Sequence, residues 1–290
     1  MSRPRPPSSH KRPSEERPAL SERSAPSKGG GREGGKGAGK NAGKNAVKGL
    51  LLWGVHPVLS ALGNERRRCH RLLATAEVLA AHGPEIARLG RLRPLPQPET
   101  AGRADLDALC PPGAVHQGIV LMAEPLPDTD VADLVAAAEG RDQAVVMVLD
   151  QVTDPHNVGA ILRSSAAFGA LGLIMPDRNA PDETGTLAKS ASGALERLPL
   201  VRAINLVRAL EELKTAGFWI AGLAGEATQT LAEARLSGRI ALVMGSEGEG
   251  LRRLTREHCD HLVKLPQSDL VESLNVSNAA AVALYELVRR

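Results

Sequence analysis

The sequence predicts an α/β protein whose carboxyl-terminal part is built on a mostly parallel sheet. From residue 144 onward, short apolar runs alternate with amphipathic segments, as in parallel strands joined by crossover helices. Runs such as IALVM at 240–244 stop at glycines, which is typical of strands buried on both faces. Polar residues stand directly before several helical segments. In such a sheet the starts of the helices lie at the edge where ligands bind.

Composition limits the class of protein further. The 290 residues suffice for a main domain and a smaller one, and with 42% hydrophobic but only 2% aromatic residues the core must be aliphatic. No apolar run approaches the roughly 18 residues of a membrane helix, and the amino end lacks the apolar centre of a secretion signal. We therefore expect a soluble cytoplasmic protein that does not bind membranes. Cys69, Cys110 and Cys259 are far apart without CxxC spacing, so neither disulfides nor a metal site is predicted.

Charge separates a tail from the rest of the chain. Of the 36 Lys and Arg, 12 lie in residues 1–48 against 4 of the 33 Asp and Glu, which leaves +8 on this tail and −5 on the remainder. The tail is rich in Gly, Pro, Ser and Lys, and it lacks the large apolar side chains that would offset its ordering entropy. We expect it to be disordered when free. It is either a salt-sensitive nucleic-acid-binding arm or a solubilising extension.

Residues 49–125 have the pattern of a small α/β domain. LLWGV begins it as a strand, and Val58, Leu59 and Leu62 then line the inner face of a short helix. RCHRLLAT predicts a second strand, AEVLAAHG a helix closed by Gly83, and GIVLM the last strand. An acidic, alanine-rich segment at 126–143 predicts a linker that contains a helix.

Residues 144–290 carry the larger domain. AVVMVLD at 144–150 predicts its first strand, followed by a turn at Asp154 and Pro155 and a helix capped by Asn157 and closed by Gly169. Four apolar residues mark the buried face of this helix: Val158, Ile161, Leu162 and Phe168.

Further alternation follows to the end of the chain. LGLIMP, LPLVRA and FWIAGLAG predict strands, ETGTLAKSASGA and INLVRALEELKTAG predict helices, and LVKLP at 262–266 predicts the last strand. The final helix buries a face that comprises Val276, Ala280, Ala283, Leu284 and Leu287.

Two groups of polar residues allow more than one interpretation. Ser and Asn before the last helix are ordinary helix caps or part of a binding site. His56, His116 and Gln117 lack matching carboxylate partners, which favours structural roles or RNA contacts over catalysis or metal binding. GSEGEG at 245–250 resembles a dinucleotide-binding loop of an oxidoreductase only loosely, because its glycine spacing and its late position in the chain are wrong.

Three stretches resemble signature motifs of the SpoU, or TrmH-like, family of RNA ribose 2′-O-methyltransferases. They are DPHNVGAILRSSAAFG at 154–169, VMGSEGEGLRRLTREHCDHLVKLP at 243–266 and SLNVSNAAAVALYE at 273–286. WGVHPV and AVHQGIVL are similar to the amino-terminal domain of the family's ribosomal-RNA branch, which resembles ribosomal protein L30e and recognises RNA. The resemblance covers roughly residues 50–290.

The resemblance implies a fold, an assembly and a cofactor. It implies a SPOUT-type parallel sheet with a deep trefoil knot at the carboxyl end, and a homodimer formed through the knot region. S-adenosylmethionine (AdoMet) is the implied cofactor. Its binding residues by motif position are Gly245, Leu265 and Leu274, with Gly222, Ala224 and Gly225 as an outer wall.

Five residues carry the implied catalytic roles: Arg163, Asn157, Glu247, Ser273 and Asn275. A guanidinium group keeps its proton in proteins, so Arg163 is a poor base. We expect it to anchor a substrate phosphate and to stabilise the forming alkoxide, while substrate phosphate or water takes the proton.

The implied reaction is 2′-O-methylation of a guanosine ribose in 23S, large-subunit ribosomal RNA. A transfer-RNA enzyme of the same family is the first alternative. A non-catalytic RNA-binding factor in ribosome assembly is the second, although the complete set of catalytic residues argues against it.

Overall fold

The computed structural model describes residues 49–268, 270–271 and 273–289. The tail at 1–48 lies outside the described residues, so its expected disorder stays a prediction. The described residues form one compact unit that contains two sheets.

The first sheet has four strands in the order β1-β4-β2-β3. Its strands are β1 (Leu50–Trp53), β2 (Cys69–Ala74), β3 (Pro98–Thr100) and β4 (Ile119–Ala123). β4 is antiparallel to β1 and β2, and β3 is parallel to β2. The predicted strands at the positions of β1, β2 and β4 are confirmed, while β3 was not predicted.

Three helices accompany this sheet: α1 (Val55–Gly63), α2 (Ala76–Leu92) and α3 (Arg103–Leu109). The predicted end of α2 at Gly83 is wrong, because the helix continues through Gly83 and Pro84 for two and a half further turns. Ile86 and Leu89 lie beyond that point and are buried in the core. Their burial outweighs the helix-breaking tendency of the Gly-Pro pair.

The second sheet has seven strands in the order β7-β6-β5-β10-β8-β11-β9, and every neighbouring pair is parallel. The strands are β5 (Ala144–Leu149), β6 (Gly172–Pro176), β7 (Leu200–Ala203), β8 (Phe218–Leu223), β9 (Gln229–Thr230), β10 (Arg239–Met244) and β11 (His261–Lys264). The expected parallel sheet is therefore confirmed, apart from the short β9, which was not predicted.

Helices join these strands. They are α4 (Val131–Ala138), α5 (Pro155–Ala167), α6 (Gly185–Ala191), α7 (Leu206–Thr215), α8 (Leu231–Ala234), α9 (Arg253–Glu257) and α10 (Val276–Val288), with a short 3-10 helix at Ala194–Glu196. α8 and α9 are too short for a periodic pattern and were not predicted. The predicted end of α5 is confirmed, since Gly169 follows the helix with φ 73°.

Both faces of the second sheet are covered. Along β5, Val145, Met147 and Leu149 point to one side, and the residues between them point to the other. The first side packs against α5, α6 and α10 and continues into the core of the first sheet. The second side packs against α4 and α7. One hydrophobic core thus extends from the second sheet into the first.

A buried arginine beside the first sheet forms ion pairs with two glutamates of the second domain. Arg67, just before β2, is fully buried and forms ion pairs with Glu196 at 2.6 Å and Glu183 at 2.5 Å. Burial lowers the pKa of Arg67, but the bonds to Glu196 and Glu183 outweigh this effect and raise it. Trp53 packs directly over Gly185, where a Cβ would collide with its ring.

Candidate active site

The candidate site lies where the chain order of the second sheet reverses. β5, β6 and β7 extend to one side of this point, whereas β10 and β8 lie on the other. The carboxyl ends are level, because Met244 of β10 is in register with Leu149 of β5 and with Leu223 of β8. Ligands bind in the crevice at such a switch point.

The loop after β10 is folded back on itself. Ser246 and Gly250 exchange two backbone hydrogen bonds of 3.1 Å, and Gly248 and Gly250 adopt φ values of 91° and 69°. A Cβ on Gly245 would lie 2.5 Å from the amide nitrogen of Leu251. Gly245 is therefore required by the closure of the loop itself, and its role in approach to a ligand stays a prediction.

A buried ion pair holds the far end of this loop. Asp150, directly after β5, is fully buried. Its Oδ2 accepts a hydrogen bond from the backbone amide of Arg252 at 2.9 Å, and its Oδ1 accepts one from Arg252 Nε at 2.6 Å. This pair was not predicted from the sequence. The available signal was a lone carboxylate at the end of the apolar run AVVMVL, which needs a partner once buried.

Three of the five predicted catalytic residues converge. Glu247 Oε1 accepts hydrogen bonds from Asn157 Nδ2 at 3.2 Å, Asn275 Nδ2 at 2.8 Å and the amide of Val276 at 3.2 Å. Asn275 Nδ2 also donates to Asn157 Oδ1 at 3.0 Å. We call Asn157, Glu247 and Asn275 the polar cluster. It joins the start of α5, the loop after β10 and the start of α10.

The helix caps explain which side chains are free for this cluster. The predicted cap of α5 is wrong: Asp154 caps it by accepting from the amide of His156, and Pro155 occupies the first turn, where it needs no amide hydrogen. Asn157 is thereby released for Glu247. Asn275 does both, because its Oδ1 caps α10 at the amide of Ser277 while its amide group donates to the cluster.

The other two predicted catalytic residues lie outside the polar cluster. Arg163 is exposed on α5, and Ser273 is exposed before α10. Among the described residues, neither side chain forms a hydrogen bond to the cluster. The predicted catalytic roles of Arg163 and Ser273 therefore stay predictions.

The predicted cofactor residues follow the level strand ends. Ala224 continues β8 and donates its amide to Val263 at 2.9 Å, and Leu265 continues β11 and is buried. Leu274 is 37% exposed, and Gly225 has open space where a Cβ would stand. Gly222 differs from these, since a Cβ there would lie 2.7 Å from Leu251 and Cys259. Gly222 thus lets the chain after β10 pack on the sheet.

Comparison with known proteins identifies the family. A model of the SpoU rRNA methylase family matches residues 144–285, and a model for RNA 2′-O ribose methyltransferase substrate binding matches residues 51–129. The protein named 23S rRNA (guanosine-2′-O-)-methyltransferase RlmB from Pasteurella multocida (strain Pm70) is 42% identical over 247 residues, covering 82% of this chain and 97% of that protein. The chain belongs to the SpoU rRNA methylase family.

Two further relatives agree with this assignment. The protein of the same name from Escherichia coli (strain K12) is 48% identical over 181 residues, which cover 61% of this chain and 73% of that protein. The SpoU methyltransferase AviRb from Streptomyces viridochromogenes, solved in complex with the cofactor AdoMet, matches with a TM-score of 0.69 and 25% identity over 83% of this chain and 89% of that chain. The family resemblance and the α/β fold with a parallel sheet are thus confirmed.

Two other potentially reactive side chains of this SpoU-family chain, those of His116 and Cys259, are held by contacts within the protein. His116 is buried, with Nε2 3.0 Å from Asp107 Oδ1 and Nδ1 accepting from the amide of Gly118. Burial raises the pKa of Cys259 to about 11, so its thiol stays protonated at neutral pH. Within residues 49–289 as far as they are described, no three His, Cys, Asp or Glu side chains are grouped as metal ligands. No helix in the described part of the chain is long and apolar enough to cross a membrane.

Proposed function

We propose that this protein transfers a methyl group from AdoMet to the 2′-hydroxyl of a guanosine ribose in 23S ribosomal RNA. The observation that carries the proposal is the polar cluster, which unites three family motifs at the carboxyl ends of the central strands. The curated relatives named for this reaction match both parts of the chain, including the part similar to substrate-binding domains.

The residues at the strand ends fit the proposed cofactor. Backbone groups beyond β8, β10 and β11 lie side by side, and Gly225 leaves open space. Leu274 is 37% exposed and Leu265 lies buried just after β11, and apolar side chains of this kind suit an adenine ring. We propose that Gly245, Leu265 and Leu274 hold AdoMet, with Gly222, Ala224 and Gly225 behind them. When bound, the cofactor supplies the activated methyl group.

The protein's part in the reaction is alignment and charge stabilisation. We propose that the polar cluster fixes the starts of α5 and α10 against the loop after β10, so that hydroxyl and methyl group meet in line. Holding reactants in attack geometry is worth roughly 7 to 11 kcal/mol. Arg163 then binds a substrate phosphate and stabilises the forming alkoxide with its planar, forked donors. Ser273 is a further donor toward the substrate, and substrate phosphate or water takes the proton.

We also propose that the carboxyl end forms a trefoil knot and that a homodimer forms through α10 and this knot region. Val282 and Tyr285 lie one turn apart on this helix and are 49% and 56% exposed. Tyr285 stacks edge-on against Phe168 with ring centroids 6.1 Å apart. We infer that these two exposed apolar side chains belong to the dimer contact. A monomeric mass in light scattering would contradict this assembly.

The substrate and its compartment follow from the same proposal. The proposed partner is ribosomal RNA, and the proposed compartment is the cytoplasm. The proposed reaction involves neither a metal ion nor a membrane. Residues 49–125 are the RNA-binding domain, 126–143 the linker and 144–290 the methyltransferase domain, while the basic tail adds salt-sensitive affinity for RNA.

The decisive experiment measures methyl transfer from labelled AdoMet to ribosomal RNA and, separately, to transfer RNA, both from cells that lack the gene. Label on a guanosine ribose of 23S RNA is the expected result. Label on transfer RNA alone would overturn the substrate but keep the chemistry. Absence of cofactor binding in calorimetry would leave the non-catalytic RNA-binding factor.

A further inference from the structure

A lysine between the two sheets has its ammonium group held by residues from both parts of the chain. Lys189 lies on α6, and its Nζ donates to Gln117 Oε1 at 2.5 Å. The same oxygen accepts a hydrogen bond from the amide of Val55 at 3.2 Å. The ammonium lies directly over Gly54, where any Cβ would collide with it. Residues of both sheets therefore determine where this positive charge stands.

Gln117 is held in a costly backbone conformation. Its φ of 54° is left-handed, a conformation that is unfavourable for a residue with a side chain. The neighbouring His116 is buried and bonded to both Asp107 and the amide of Gly118, so the surrounding structure imposes this conformation. Backbone strain of this kind often occurs at functional sites, so the orientation of the exposed Gln117 side chain is a candidate for a functional role.

Within the described part of the chain, no carboxylate neutralises the charge of Lys189. Among the described residues, no carboxylate forms an ion pair with its ammonium group, and its resolved partner is the neutral amide of Gln117. Burial lowers the pKa of Lys189, with no carboxylate opposing this effect. An ammonium has three donors, and one is used by Gln117. The remaining donors and the uncompensated charge suit an anion.

A line of contacts connects this charge to the polar cluster. Ser190 follows Lys189 on α6, and its Oγ lies 3.1 Å from Nδ1 of His156. His156 directly precedes Asn157 of the cluster on α5. The two helices touch at Gly159, where a Cβ would lie 2.6 Å from Ser190. Lys189 and the cluster are therefore fixed relative to each other through α5.

We propose that Lys189 is a positioning residue that binds a backbone phosphate of the RNA substrate between the first sheet and the polar cluster. Gln117 aims the ammonium, and the strand bound at Lys189 runs toward Asn157. A lysine ammonium binds phosphate as a compact point charge and does not require one fixed geometry. Such a contact positions the RNA along the protein surface without reading the identity of a base. This inference rests on the proposed function and specifies where that site holds its substrate.

The test compares three variants with the full-length wild-type protein. Lys189→Met keeps the aliphatic stem and removes the charge, and Lys189→Arg restores a cation. Lys214→Met is the matched control. Lys214 lies on α7, on the opposite face of the second sheet from α6, and its Nζ is paired with Asp260 Oδ1 at 2.6 Å. The probe is 23S RNA transcribed in vitro and therefore unmodified. Its binding is measured over a series of salt concentrations, beside KM, kcat and AdoMet affinity.

For Lys189→Met we expect KM for RNA to rise about tenfold with kcat and AdoMet affinity within about twofold of wild type. The slope of log affinity against log salt should fall by about 0.7 to 0.9, the value of one released counterion, and Lys189→Arg should restore it. Lys214→Met should leave the slope unchanged. A purely structural latch between Lys189 and Gln117 would alter melting but not this slope, and an unchanged slope would overturn the proposal.

A second variant keeps the test decisive if Lys189→Met unfolds. Gln117→Glu retains the ammonium but pairs it with a carboxylate, so we expect the same loss of RNA affinity and of salt slope. Unaltered RNA binding in Gln117→Glu would contradict the proposal. If the wild-type protein binds RNA with the predicted dependence on Lys189 but transfers no methyl group, the proposed function fails while the phosphate site stands.

Discussion

The Asp150–Arg252 pair allows a sharp stability prediction for Arg252→Ala. Asp150 is completely buried, and the substitution removes its bond to Nε at 2.6 Å while the backbone amide bond at 2.9 Å survives. Breaking a buried ion pair costs roughly 3 to 5 kcal/mol. Because one hydrogen bond remains and the Arg252 side chain is 45% exposed, we take the lower end, about 3 kcal/mol.

This cost should be visible as a change in melting temperature. For a folded unit of this size, 1 kcal/mol corresponds to about 2 to 4 °C, so Arg252→Ala should melt about 6 to 12 °C below wild type in scanning calorimetry. The adjacent Arg253→Ala is the matched control. Arg253 pairs with Glu257 four residues later at 2.6 Å, and both side chains are more than half exposed. Such a surface pair contributes about 0.5 kcal/mol or less.

The same substitution should weaken cofactor binding. Arg252 holds the end of the loop that carries Gly245 and Glu247, and a loosened loop must be ordered again when AdoMet binds. We expect titration calorimetry to show lower AdoMet affinity for Arg252→Ala and unchanged affinity for Arg253→Ala. If the two variants melted within 2 °C of each other, the argument that the buried carboxylate needs its guanidinium partner would be refuted.

Four further predictions test other parts of the molecule. Glu247→Ala removes the acceptor shared by three N–H groups and should lower kcat about 100-fold at unchanged folding, whereas Glu247→Gln keeps an acceptor and should lose less; equal rates in single-turnover assays would contradict this. Arg163→Lys should lower kcat about 100-fold, and near-wild-type turnover would refute the need for a planar donor. Arg67→Met should destabilise the protein by about 3 to 5 kcal/mol in urea unfolding, because Glu196 is left buried without its partner. Cys259, whose thiol pKa burial raises to about 11, should resist alkylation at pH 8, and rapid labelling of this residue in the native protein, located by mass spectrometry, would contradict this prediction.

Much of the second sheet was predictable because its signals are local. The run AVVMVL is apolar on both faces, and the structure places it at the centre of the sheet as β5. The apolar spacing from Val276 to Leu284 marks the buried face of α10. Such patterns depend on neighbours in sequence, and they predict which elements form. They do not predict which strands pair, so the position of β10 between β5 and β8 was not foreseen.

Local rules failed where distant packing decides the outcome. Gly83 and Pro84 predict the end of a helix, but buried Ile86 and Leu89 extend it. Asn157 matches a helix cap, but Asp154 takes that position.

The polar cluster joins residues separated by 90 and 118 positions, and no spacing rule reaches so far. Family motifs supplied its members. Only the fold shows that Asn157, Glu247 and Asn275 touch one another.

The late arrival of β10 at the centre of the second sheet has a consequence for biosynthesis. β5 ends at Leu149 and its neighbour β10 begins at Arg239, about ninety residues later. At about 5 to 20 residues per second, a ribosome leaves that edge of β5 without its partner for about 5 to 20 s. Open apolar edges invite pairing with other nascent chains, and pairing between distant strands slows folding. Folding of this sheet should therefore be late, and demand for chaperones should be highest before residue 244 leaves the exit tunnel.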